Sequence, residues 1–88
     1  MDYQMITEQL LALLAERDVV IRKEPIDSER AGLCSLKGQK TFIYNPKSPS
    51  FETAVRCAEA AGVEIDDIEG IYLRPAVRDF IDKYASDG

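Results

Sequence analysis

The chain contains no histidine, which removes at once the commonest general base of enzymes and the commonest side-chain metal ligand. Its two cysteines, Cys34 and Cys57, are too few and too far apart for a zinc knuckle or a disulfide framework. No glycine-rich loop stands where it would cradle a phosphate. No apolar run approaches the roughly 18–20 residues of a membrane span, so a membrane protein is excluded. Nor does a basic segment precede an apolar stretch after Met1-Asp2-Tyr3; no secretory signal is read there, and a cytoplasmic protein is expected. Internal repeats and low-complexity linkers are also missing, so residues 1–88 are expected to form one domain.

What remains is the composition of an ordinary soluble domain, 45% hydrophobic and 31% charged. A chain of this length buries only about 60–65% of its unfolded surface, so the core will be thin. Eleven basic against sixteen acidic residues give a net charge of −5, which repels a phosphate backbone unless a basic stripe overrides it. The densest basic spots, Arg22-Lys23 and Lys37 with Lys40, read as solvated strand or turn, and no nucleic-acid partner is expected.

Ile6, Leu10, Leu13 and Leu14 recur at helical spacing, with Glu8, Gln9, Glu16 and Arg17 elsewhere on the wheel. Residues 2–16 therefore read as an amphipathic helix with Asp2 as its N-cap. The β-branched run Val19-Val20-Ile21 opens a strand that Pro25 ends, since proline donates no ladder hydrogen bond. Residues 25–31 read as polar loop.

Two short β-prone stretches follow, Leu33–Lys37 and Lys40–Tyr44, separated by Gly38-Gln39, where glycine supplies the positive φ of a tight hairpin. That turn sets Cys34 opposite Ile43 and Leu36 opposite Thr41 on one face, with Leu33, Phe42 and Tyr44 on the other. The first set is expected to face the core. Phe42 and Tyr44 then form either an exposed aromatic patch or a second packing layer under a helix.

Ser48 as a hydroxyl N-cap and Pro49 at the first helical position start a helix of 49–61, stopped by Gly62, with Phe51, Ala54, Val55, Ala58 and Ala61 as its apolar stripe. Pro75 opens a third helix on which Val77, Phe80, Ile81 and Tyr84 repeat at helical spacing. The tail Ser86-Asp87-Gly88 is expected to fray. The fold class expected is α+β: helix, three-stranded antiparallel sheet, then two helices, in a single compact domain whose core joins Cys34, Leu36, Ile43, Val55 and Ala58.

The stretch Gly32-Leu33-Cys34-Ser35-Leu36-Lys37-Gly38-Gln39-Lys40-Thr41-Phe42-Ile43-Tyr44-Asn45, followed by Ser48-Pro49 and the helix Phe51–Ala61, resembles the N-terminal half of the ImmA/IrrE-type metallopeptidase domain. It is also similar to small uncharacterised bacterial proteins built around a G-L-C strand. In the metallopeptidases the helix carries H-E-x-x-H, two zinc-binding histidines with a glutamate base. Here the corresponding stretch is Ala58-Glu59-Ala60-Ala61-Gly62. Glu59 stands where the base would, but Ala58 and Gly62 offer no donor atom, so the resemblance implies the shape without the metal. A lone carboxylate would have to activate bulk water, of pKa about 15.7 against about 7 on zinc. Glu59 is expected to be a solvent-facing helix residue.

Other constellations have simpler readings. Glu64, Asp66, Asp67 and Glu69 lack the alternating oxygen ligands and closing glutamate of an EF-hand; the simpler reading is that Asp66 or Asp67 caps a short turn. As a nucleophile, Cys34 would have no histidine partner; Cys34 and Cys57 read as reduced thiols inside the core. Arg56, Arg74 and Arg78 form an anion clamp only if the fold gathers them. The function expected is a non-catalytic binding or regulatory module, not an enzyme and without a cofactor, that engages a protein partner through Phe42 and Tyr44 or through an edge strand. The alternative is a small enzyme or ligand-binding protein with Cys34, Arg74 or Glu59 in a cleft.

Overall fold

The structure, a computed structural model, describes residues 2–85, with the backbone alone at residues 28 and 69. Residues 86–88, where fraying is expected, lie outside it. The elements run α1 (Tyr3–Glu16), β1 (Val20–Lys23), a 3-10 turn (Ser28–Arg30), β2 (Gly32–Leu36), β3 (Gln39–Tyr44), α2 (Ser50–Glu64), a second 3-10 turn (Ile68–Gly70) and α3 (Pro75–Tyr84). This is the expected α+β class. The Cα radius of gyration, 12.0 Å, matches the ~12 Å of a compact globule of this length.

Helix α1 begins as the sequence dictates: the Asp2 carboxylate accepts the Met5 N–H at 3.0 Å, satisfying one of the free donors of the first turn. It ends in a Schellman motif. Asp18, at φ 66°, donates to the Ala15 carbonyl and Val19 to the Leu14 carbonyl, and the buried side chains of Val19 and Leu14 supply the hydrophobic contact that accompanies this ending. The chain thus leaves the helix aimed into β1.

The sheet has the order β1-β3-β2. β2 and β3 form the expected antiparallel hairpin, but β1 pairs parallel to β3, so the sheet is mixed where an antiparallel one was expected. The cause is the connection 24–31, which crosses the end of β3 and delivers β2 to the far edge. Asn45 pins this crossover. Its side-chain amide donates to the Ile26 carbonyl at 3.1 Å and its side-chain oxygen accepts the Lys47 N–H at 2.9 Å, while the Glu24 N–H donates to the Tyr44 carbonyl at 3.0 Å.

The hairpin turn is Lys37-Gly38, with φ 52° and 80°, one residue earlier than expected. Both central residues have positive φ, as a type I′ turn requires. Moving the turn by one residue moves the register by two, so Cys34 faces Thr41 and Leu33 faces Phe42. The two face sets survive this shift. Their polarity does not: Phe42 is fully buried and Tyr44 is 8% exposed, whereas Cys34 and Leu36 are exposed and Ile43 is half-buried. The face carrying Ile21, Leu33, Phe42 and Tyr44 has more apolar area to hide than one carrying Cys34, Leu36 and Ile43, and burying one such aromatic ring is worth about 1.5–3 kcal/mol.

The helices cover that inner face. Ile6, Leu10 and Leu14 of α1, Ala54, Cys57, Ala58 and Ala61 of α2, and Val77, Phe80 and Ile81 of α3 join Phe42 and Tyr44 in one core. Val55 packs against it half-buried. A T-shaped and tilted cluster of Tyr3, Phe51, Phe80 and Tyr84, with centroids 4.6–6.2 Å apart, locks the three helices together.

Two helix ends differ from expectation. Pro49, at ψ 136°, is still extended and takes the cap position itself, so α2 starts at Ser50; Ser48 closes a turn onto the Asn45 carbonyl. Gly62 does not stop α2, which continues to Glu64. Its small size serves the approach of Ala85, whose Cβ lies 3.0 Å from where a Cβ on Gly62 would stand.

Candidate functional site

Because all three helices gather on the inner face, the outer face of the sheet has no covering layer among the described residues. It carries Val20 and Arg22 from β1, Thr41 and Ile43 from β3, and Cys34 and Leu36 from β2. Val20 is 43% and Leu36 38% exposed. Thr41 is shaded by both flanking strands, and its hydroxyl donates to the Gln39 carbonyl at 3.1 Å. The result is a small apolar surface open to water.

The two sheet edges are chemically unlike. β1 has the sequence Val-Ile-Arg-Lys, with Arg22 held by Glu24 at 2.7 Å; charges of this kind guard an edge against foreign strands. β2, Gly-Leu-Cys-Ser-Leu, has neither charge nor proline. Leu36 and Gln39 close a two-residue turn and are therefore a hydrogen-bonded pair, so Gly32, Cys34 and Leu36 turn their N–H and C=O groups toward β3. Leu33 and Ser35 turn theirs outward. Ser35 is exposed and Leu33 half-buried, so this row meets solvent at Ser35.

Beside β2, between α2 and the turn that leads into the strand, lies a groove of about 390 Å³ lined by Glu29, Phe51, Glu52, Val55 and Arg56. Phe51 is 37% exposed there.

Of the expected binding pair, Phe42 is fully buried, whereas Tyr44, 8% exposed, lines a cavity of about 260 Å³ with Thr7, Leu11, Ser48 and Thr53. The second of the two packing alternatives is the one realised. Cys34, expected inside, is exposed on the outer face, while Cys57 is fully buried on the helix side; both are free thiols. Burial pushes the Cys57 thiol up to about 12, because a thiolate there would lose its hydration. Tyr44 is also raised, first by its own burial and then by the neighbouring Cys57.

The remaining candidates are scattered. Glu59 is exposed on α2 and pairs with Arg56 at 3.1 Å, on the opposite side of the sheet from Cys34. Ala58 is fully buried, and Gly62 faces Ala85. Arg78 donates to the Ile71 carbonyl at 2.6 Å, and Arg74 is exposed at the start of α3, so no three-arginine clamp forms. Glu64 pairs with Lys40 at 2.8 Å and Asp67 with Arg17 at 3.1 Å, which ties the acidic segment to β3 and α1. Among the described residues, no group of three or more acidic or cysteine side chains is arranged to hold a metal, and no helix is long and apolar enough to cross a membrane.

The sequence pattern points only to an edge strand and does not single out Leu33 and Ser35 as the residues with outward backbone groups. Their signal was the lack of charge across Gly32–Leu36. Compared with protein-family models, curated proteins and solved structures, the chain finds no match.

Proposed function

We propose that the protein is a non-catalytic binding module that takes a protein partner by strand addition at β2. One observation carries this reading: the uncharged edge Gly32–Leu36, with the outward backbone groups of Leu33 and Ser35, lies between an open apolar sheet face and the Phe51–Val55 groove. An unguarded edge is a template for another strand. Main-chain hydrogen bonds then give affinity, and alternate side chains meeting the face and the groove give selectivity. Support for the non-catalytic half comes from the separation of Cys34, Glu59 and Arg74, which share no cleft.

Ser35→Pro tests it, because proline removes an outward N–H that β3 does not use. Tagged wild-type protein and the variant, matched in circular dichroism, are incubated with lysate of the source cell. Proteins retained by the wild type are expected to fall at least tenfold on the variant. Retention that ignores the substitution overturns the assignment of the edge.

A further inference from the structure

We propose that the cleft between α1 and the start of α2 is a binding site for a small neutral polyol of monosaccharide size. The cleft shares no lining residue with the groove of Phe51 and Val55 and stands independently of the β2 edge.

Two helix faces build it. Gln4, Thr7, Glu8 and Leu11 follow the i, i+3, i+4, i+7 spacing that sets them on one stripe of α1, beside the stripe of Ile6, Leu10 and Leu14 that enters the core. Facing them are Ser50 and Thr53 from the first turn of α2, Pro46 and Ser48 from the connection before it, and Tyr44 at the end of β3. Together they enclose about 260 Å³, just under the roughly 300–1,000 Å³ of a drug-sized pocket. That volume suits one sugar ring.

The wall decides the chemistry. The hydroxyl oxygen of Thr7 is buried without a hydrogen-bond partner among the described residues, a costly state that a ligand relieves. A turn about the Thr7 Cα–Cβ bond, which threonine tolerates in a helix, presents the hydroxyl to the cleft. Thr53 is 5% exposed, and its N–H is already engaged by the Pro49 carbonyl at 3.2 Å, so the side chain is what it offers. Pro49, at the cap position, gives the first turn of α2 no side-chain acceptor, which leaves N–H donors at that end of the cleft. At the other end Gln4 donates to the Glu8 carboxylate at 3.4 Å, and the carboxylate keeps further acceptor sites.

The occupant must therefore accept at α2 and donate at α1, and a hydroxyl does both. Charged ligands fit less well. No lysine or arginine lines the cleft among the described residues, and Glu8 opposes an anion. A cation meets the positive end of α2. A zwitterion matches both ends, but Glu8 is exposed and its charge is screened, whereas hydroxyls run through the whole wall. An apolar ligand leaves Thr7 and Thr53 unsatisfied. Leu11, Pro46 and the Tyr44 ring supply apolar surface for the C–H groups of a sugar.

The test is a titration of the isotope-labelled full chain, followed through its amide signals. D-glucose, D-galactose, D-mannose and myo-inositol are each added to about 100 mM, because so small a ligand binds at about millimolar strength. At least one is expected to shift residues 4–11 and 48–53 saturably while β2 stays still. Its affinity is expected to change less than about twofold between roughly 50 and 500 mM sodium chloride, since a neutral ligand has no charge to screen. Thr7→Val keeps the shape and removes the orphan hydroxyl. It is expected to weaken binding at least about fivefold and yet to raise the melting temperature of the free protein, a pairing that a merely structural threonine does not produce. Ser50→Ala, at an exposed position, is expected to weaken binding at least about twofold through loss of one hydroxyl.

No saturable shift from any polyol, or binding that ignores both substitutions, overturns the site. Saturation of the same amides by sodium phosphate, tetramethylammonium chloride or glycine, with the polyols silent, overturns the ligand class.

Discussion

Gly62 lies under Ala85: a Cβ built on the glycine would stand 3.0 Å from the alanine Cβ and 3.6 Å from its carbonyl oxygen. A residue whose sequence context reads as a helix stop is instead the point where α2 admits the end of α3. Ala85, whose N–H donates to the Ile81 carbonyl at 2.8 Å, caps α3 at this contact.

The size of residue 62 is therefore limited by packing and not by backbone conformation. In the interior of α2, Gly62→Ala gains about 1 kcal/mol of helix propensity and loses a comparable amount to the crowded Ala85, so its urea midpoint is expected within about 0.5 kcal/mol of wild type. Gly62→Val adds two further methyl groups at the same place and is expected to cost about 1–3 kcal/mol through overpacking. A stabilised valine variant would show that the α2–α3 contact is looser than described.

The hairpin turn gives a prediction of opposite sign. Lys37 holds φ 52°, a left-handed conformation costing most residues about 1–2 kcal/mol and asparagine less. Asn-Gly is the favoured pair for a type I′ turn. Lys37→Asn is expected to stabilise the protein by roughly 0.5–1 kcal/mol, read as a melting temperature several degrees higher. If the turn lay at Gly38-Gln39, the substitution would sit in a strand and lower the melting temperature.

These residues also show how much of the fold was legible. The helices α1 and α3 could be read because spacing, Asp2 and Pro75 all agree, and local signals that agree specify an element well. The partition of the hairpin into two faces was legible because side-chain alternation survives a register shift of two. Which face turns inward was not legible from the hairpin alone. It depends on the helices, and the bulk of Phe42 and Tyr44 outweighed that of Cys34 and Ile43. The parallel pairing of β1 was hidden for a similar reason: Val20–Lys23 contains no mark of its neighbour, and the crossover is fixed by Asn45 reaching Ile26 across 19 positions. Of the candidate site, the edge was visible in the uncharged Gly32–Leu36. The groove was not, because its residues come from separate segments that only the folded chain brings together.

The last prediction concerns Cys57, whose thiol is fully buried and raised from 9.0 to about 12. Burial disfavours the thiolate, so the folded state holds its proton more tightly than the unfolded state does. A group with a raised folded pKa contributes stability fully below the unfolded value, near pH 9, and that stability is lost as pH rises toward the folded value. The slope approaches about 1.4 kcal/mol per pH unit across this window. Tyr44, also raised from 10.0, adds loss of the same sign at higher pH. Between pH 8.5 and 10.5 the wild type is expected to lose about 2 kcal/mol more than Cys57→Ala, measured as urea midpoints at both pH values. Thiol labelling at pH 8 provides a second reading: Cys34 is expected to react in the folded protein, and Cys57 only after denaturant is added. Equal alkaline slopes in wild type and variant, with both thiols labelled at once, would mean that Cys57 is open to water and that α2 does not seal the inner face of the sheet.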